Sequence, residues 1–209
     1  MAQFFQIHPD NPQQRLIRQA VDVVRHGGII VYPTDSGYAL GCDMSNKRAK
    51  DRIRQIRRVD DSHVFTLVCR DLSEISAYAK INNTYYRLLK SLTPGPYTFI
   101  FKATKEVPRM LQNPKRKSIG IRIPDNRIAL ALLEELDAPL SSSTLIMPGD
   151  DIPLTDPYEM RQLLEHQVDL IIDGGYCGID PTTVVNLEDD TPHVLRVGLG
   201  DPAVFEEEQ

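Results

Sequence analysis

The 209-residue chain has no tryptophan, three cysteines and five histidines, and each scarcity closes a route to function. Cys42, Cys69 and Cys177 are an odd count without a C-x-x-C spacing, so they read as small buried residues in a reducing cytosol. His8, His26, His63, His166 and His193 form neither an H-x-x-x-H nor an H-E-x-x-H pattern, and no metal site is expected. No apolar run approaches the roughly 18 residues of a membrane span. The opening Met-Ala-Gln-Phe-Phe-Gln-Ile-His lacks the basic lead and apolar core of a signal peptide. A cytoplasmic location is therefore expected. A P-loop, a G-x-G-x-x-G turn and a Ser-His-Asp order are also missing, so the common nucleotide-binding and nucleophilic motifs have no support.

What is present fits one globular domain over 1–209, with its core at about 13–200. Apolar residues make up 41% of the chain, and no repeat or linker interrupts it. The acidic stretch 202–209 ends in Glu206-Glu207-Glu208, which is expected to be solvated and disordered. Helical spacing runs from Asn11-Pro12 through Leu16, Ile17, Ala20, Val21 and Val24 to Gly27-Gly28. Further helices are predicted at about 46–58, 71–78, 83–92, 128–136 and 157–166. Strands are predicted at 64–69, 97–101, 119–123, 140–146, 168–172 and 184–187, with a short one at 194–195. The alternation of the two kinds of element predicts an α/β fold.

The segment Gly27 to Asp43 reads as strand, polar turn and strand. Pro33 cannot donate to a sheet ladder, so it is expected to end the first strand. Thr34, Asp35 and Ser36 then expose three oxygens beside Gly37, where open α/β sheets often hold ligands. An ordinary hairpin loop is the alternative reading.

Charge is unevenly spread. Residues 1–132 hold 22 Lys and Arg against 11 Asp and Glu, whereas 133–209 hold 2 against 18. Such a split suggests a basic surface for a polyanion, unless the two parts interleave and neutralise each other. The sharpest basic feature is the helix at 46–58. Lys47, Lys50, Arg54, Arg57 and Arg58 fall within roughly 100° of its wheel, opposite Ala49, Ile53 and Ile56. Like charges at i,i+4 cost a few tenths of a kcal/mol each, which a bound polyanion would offset. Salt-sensitive RNA binding by this row is one reading, and a solvated face is the other. Without interleaved aromatics, recognition of duplex or folded RNA by shape fits better than base stacking.

Five blocks then share a resemblance. They are Pro33-Thr34-Asp35-Ser36-Gly37-Tyr38-Ala39-Leu40-Gly41-Cys42-Asp43, Thr93-Pro94-Gly95-Pro96-Tyr97-Thr98, Ile121-Arg122-Ile123-Pro124-Asp125, Asp173-Gly174-Gly175 through Pro181-Thr182-Thr183-Val184-Val185-Asn186, and Leu195-Arg196-Val197-Gly198. In order and wording the chain resembles the YrdC family, the threonylcarbamoyl-adenylate synthases, and most closely its YciO branch. That resemblance implies a single-domain twisted mixed sheet flanked by helices, with a large concave basic cavity. It also implies that Thr34 faces substrate, that Arg122 holds a carboxylate, and that Ser142, Thr144, Thr182 and Arg196 border the nucleotide.

Two family motifs are altered. Fixed spacing places the family's KxR on Arg57 and Val59, or on Arg58 after a shift of one residue, and its SxN on Thr144 and Ile146. Arg is larger and planar where Lys is a point charge, and Ile146 can offer no side-chain hydrogen bond. Loss of one preorganised donor costs on the order of 100-fold in rate.

Two functions are compatible with these residues. The first is a nucleotide-binding module acting on structured RNA or tRNA, with no tightly bound cofactor and a degenerate synthase site. The second is a weakened synthase using Mg-ATP, bicarbonate and threonine in tRNA modification, with AMP-type and threonine ligands in the cavity.

Overall fold

A computed structural model describes residues 1–205. The chain begins with strand β1 (Gln3–Gln6), helix α1 (Gln14–Arg25), the pair β2 (Ile30–Thr34) and β3 (Gly37–Asp43), and α2 (Lys47–Arg57). It continues through β4 (Thr66–Val68), α3 (Leu72–Tyr78), α4 (Asn83–Leu92), β5 (Tyr97–Lys102) and β6 (Ser118–Arg122). Helix α5 (Arg127–Leu136), β7 (Leu140–Thr144), α6 (Pro157–Leu164), β8 (Leu170–Asp173), β9 (Thr183–Asn186) and β10 (His193–Arg196) complete it. No helix among the described residues is long and apolar enough to cross a membrane.

One mixed sheet runs in the order β1-β8-β2-β3-β7-β4-β6-β5-β9-β10. The parallel pairs are β1/β8, β2/β8, β4/β6 and β5/β9, and the remaining neighbours are antiparallel. Period-2 alternation sends side chains to two cores. Ile30, Tyr32, Leu170 and Ile172 join α1 and α5 on one face, where Ile17, Ala20, Val21, Val24, Leu132 and Leu133 are buried. Ile29, Val31, Leu40 and Ile171 join the other core with Ile53 and Ile56 of α2. The sheet therefore carries helices on both faces, as the α/β reading expected.

Helix starts follow side-chain caps. The carboxylate of Asp71 accepts from Glu74 N, and the side-chain oxygens of Asn46, Asn82 and Asn126 accept from Ala49, Tyr85 and Ala129 N. One expectation changes and two elements are added. Pro33 lies inside β2 opposite Tyr38 and does not end it. Within β2, strand β8 pairs with Ile30 and Val31 alone, so beyond them that side of β2 needs no donor. Strand β1, too short for a clear period, is an addition beside β8. Within the acidic tail, Pro202–Phe205 forms a 3-10 turn, and Phe205 packs edge-on against Tyr97 and Phe99. The glutamates expected to be solvated lie outside the described residues.

Candidate functional site

Strands β2, β3, β4, β5, β6, β7 and β9 line, with alternate residues of one sheet face, a cavity of about 560 Å³. Of the residues expected there, Thr34, Arg57, Arg122, Ser142, Thr144, Thr182 and Arg196 line it. Arg58 does not. It is the left-handed C-cap of α2, with φ of 51°, and its side chain is exposed.

The β2–β3 turn is built on local hydrogen bonds. Thr34 Oγ1 donates to Gly37 O at 2.6 Å and accepts from Ser36 N at 3.1 Å. Gly37 sits at φ of 108°, a conformation that side chains rarely adopt. From the end of β6, Arg122 pins this turn: Nη1 donates to Ser36 Oγ at 2.7 Å and Nη2 pairs with Asp35 Oδ1. Arg122 thus holds a carboxylate, and that carboxylate belongs to the protein. The pair is incomplete, because Asp35 Oδ2 and Arg122 Nε are buried with no hydrogen-bond partner.

Arg57 enters from α2. Its Nη1 donates to Ser143 Oγ at 2.6 Å, and its Nε reaches the Ile146 carbonyl at 3.4 Å. Ser143 Oγ also lies 2.9 Å from His63 Nε2, whose ring packs edge-on against Phe65. Burial and the nearby Arg57 and Arg54 charges pull His63 down to about 4, so it is neutral near pH 7. Burial likewise lowers Arg57. On the opposite wall, Arg196 Nε and Nη2 donate to Thr182 O at 3.1 and 3.0 Å, and the Thr182 and Thr98 hydroxyls lie 2.8 Å apart. Burial and then the Arg122 charge pull Arg196 below its usual range. Deeper in, Tyr32 OH meets Ser142 Oγ at 2.7 Å, and burial pushes the phenol up to about 12.

The basic row expected along α2 does not form one open face. Lys50 is 1% exposed, with Nζ donating to Met44 O at 3.2 Å. Arg54 pairs with Asp51 at 3.0 Å and lies over the Phe65 ring. Arg57 turns into the cavity, which leaves Lys47 and Arg58 outside. The reason is helical geometry. Lys50 and Arg57 are the i−3 and i+4 neighbours of the fully buried Ile53, so they share its flank.

A family model, Sua5/YciO/YrdC, described as telomere recombination, matches residues 22–198. The chain belongs to the Sua5/YciO/YrdC family. "Uncharacterized protein YciO" of Escherichia coli (strain K12) is 60% identical over 205 residues, covering 98% of this chain and 100% of that one. The crystal structure of Escherichia coli YciO superposes with a TM-score of 0.94, covering 99% of this chain and 100% of that one. A "Threonylcarbamoyl-AMP synthase" of Coxiella burnetii is 29% identical over 167 residues, 76% of this chain and 84% of that protein. The structure of Pyrococcus abyssi Sua5 complexed with L-threonine shares the fold, with a TM-score of 0.85 at 24% identity over 93% of this chain and 57% of that one.

Of the two stretches that the resemblance marks as altered motifs, Arg57, Thr144 and Ile146 line the cavity and Val59 does not. Ile146 lines the cavity and contributes its carbonyl, while Val59 donates its N–H to Arg54 O. His63 was not singled out by sequence reasoning. Its only signal is its place just before the buried Phe65.

Proposed function

We propose that the cavity binds a nucleoside triphosphate together with a small amino acid and forms a carbamoyl-adenylate, the threonylcarbamoyl-AMP class of product. The observation that carries this reading is the convergence of Arg57, Arg122 and Arg196 on one cavity, where Asp35 pairs with Arg122 behind the lining and Asp151 is the one carboxylate of the lining itself. Partly buried guanidiniums beside hydroxyl groups need an anion, and phosphates suit them. The incomplete Arg122–Asp35 pair suits a zwitterion: an ammonium completes Asp35 Oδ2, and a carboxylate completes Arg122 Nε.

In the reaction, the threonine amine and bicarbonate condense to a carbamate with loss of water. A carbamate oxygen attacks the α-phosphorus of ATP. The bond to the β-phosphate breaks, and pyrophosphate leaves with its electron pair. Arg57, fixed by Ser143, steadies phosphate charge as it develops, and Arg196 does so from the far wall. Thr34 and Ser36 orient the amino acid through the turn they brace. Magnesium would arrive with the triphosphate as part of the substrate. The described residues contain no cluster of three or more His, Cys, Asp or Glu to hold it separately.

Pyrophosphate release with Mg-ATP, bicarbonate and threonine tests this reading. Threonine-dependent release that falls at least 100-fold in Arg196→Ala supports it. Release that ignores threonine, or an unchanged rate in that variant, overturns it.

RNA binding is the second reading. Its support lies away from α2, in a groove bordered by Lys80, Lys102, Lys105, Arg109, Arg116 and Lys117.

A further inference from the structure

The chain leaves β5 at Lys102 and returns to β6 at Ser118 through a loop that is held shut by its own backbone. Ala103 N donates to Lys117 O at 2.9 Å, and Lys117 N donates to Asn113 O at 2.8 Å. Asn113 Oδ1 accepts from Lys115 N and Arg116 N, both at 3.0 Å, and Gln112 Nε2 donates to Val107 O at 2.8 Å. Lys80 N donates to Lys102 O at 2.9 Å, and Thr104 N to Tyr78 O at 2.9 Å, which anchors the loop to the end of α3. The loop is therefore closed by hydrogen bonds within the chain itself.

Its walls carry charge of one sign. The six Lys and Arg side chains that border the groove are exposed, and no Asp or Glu lines it. Lys102 and Arg116 make long pairs with Asp189 and Glu188, at 3.7 and 3.9 Å. Lys80, Lys105, Arg109 and Lys117 make no ion pair among the described residues. Like charges gathered on one loop repel one another, and a polyanion removes that cost. No aromatic ring lines the groove, so it suits a phosphate backbone and not stacked bases. Asn113 lines both this groove and the cavity, so the two adjoin at that residue.

We infer that this groove, and not the outer face of α2, is the docking surface for the phosphate backbone of a folded RNA, laid so that the strand runs toward the cavity mouth. The inference rests on the RNA-binding reading and is independent of the carbamoyl-adenylate chemistry.

The test is fluorescence anisotropy with a labelled RNA hairpin, comparing the full chain with two charge-reversed variants. The groove variant carries Lys105→Glu, Arg109→Glu and Lys117→Glu. The helix variant carries Lys47→Glu and Arg58→Glu. Circular dichroism and thermal unfolding check that both fold. The expected result is at least tenfold weaker binding by the groove variant, with a slope of log K against log salt shallower by about 0.7–0.9 per lost contact. The helix variant should bind within twofold of the parent. Parent binding that survives groove reversal, or that is lost in the helix variant, overturns the assignment while leaving RNA binding intact. Absence of binding at low salt overturns the RNA reading itself. Displacement by polyglutamate at equal charge overturns it in favour of an unselective polyanion patch.

Discussion

Arg57 and Ser143, 86 residues apart, meet at 2.6 Å where α2 faces the end of β7, and His63 closes the group from the adjoining loop. This contact places a cation on the cavity wall, at the position where the resemblance would put a lysine. It also sets the expected behaviour of substitutions there. Arg57→Ala is expected to weaken ATP binding at least tenfold by isothermal titration. Arg57→Lys should recover only part of the loss, because an ammonium cannot reproduce the planar reach to Ser143 Oγ and Ile146 O together.

His63 should make stability depend on acid. Its folded value is about 4, below the ordinary value of 6.5, so the unfolded chain binds more protons between the two. Stability is therefore complete above about pH 6.5 and falls as the pH drops toward 4. Thermal unfolding across that range should show a steeper decline in the parent than in His63→Gln. Equal slopes would mean that His63 is not buried as a neutral ring.

Lys50 gives the opposite end of the pH scale. Burial is the main reason that its ammonium drops from 10.5 to about 8. The unfolded chain again binds more protons in that window, so this group's contribution to stability rises between pH 8 and 10.5. Lys50→Met should unfold at the same or a higher denaturant concentration at pH 7 and lack that rise. It should also leave RNA binding unchanged, which would not hold if Lys50 were an exposed phosphate contact.

Asp35→Ala is expected to cost about 3–5 kcal/mol by urea unfolding, because it leaves the buried Arg122 guanidinium without its carboxylate. Added phosphate should restore part of the loss by occupying the vacated place. A variant as stable as the parent would show that the pair is not an essential brace of the β2–β3 turn.

Periodicity and capping residues made most elements legible in the sequence, since apolar spacing of 3.6 or 2 follows from burial on one face. Thr34, Arg122, Thr182 and Arg196 were marked through the resemblance of the motif blocks to the family, and all four line the cavity. Tertiary structure alone decided where the long cations of α2 went. A helical wheel gives angles but not what covers each flank, and a long side chain beside Ile53 follows the neighbour that buries it. Met44, Phe65 and Ser143 drew Lys50, Arg54 and Arg57 inward. The same limit hid His63, a loop residue whose partner lies 80 residues away on β7. It also hid the groove, whose charges come from the end of α3, the end of β5 and the loop beyond, and share a surface only once the sheet brings those ends together.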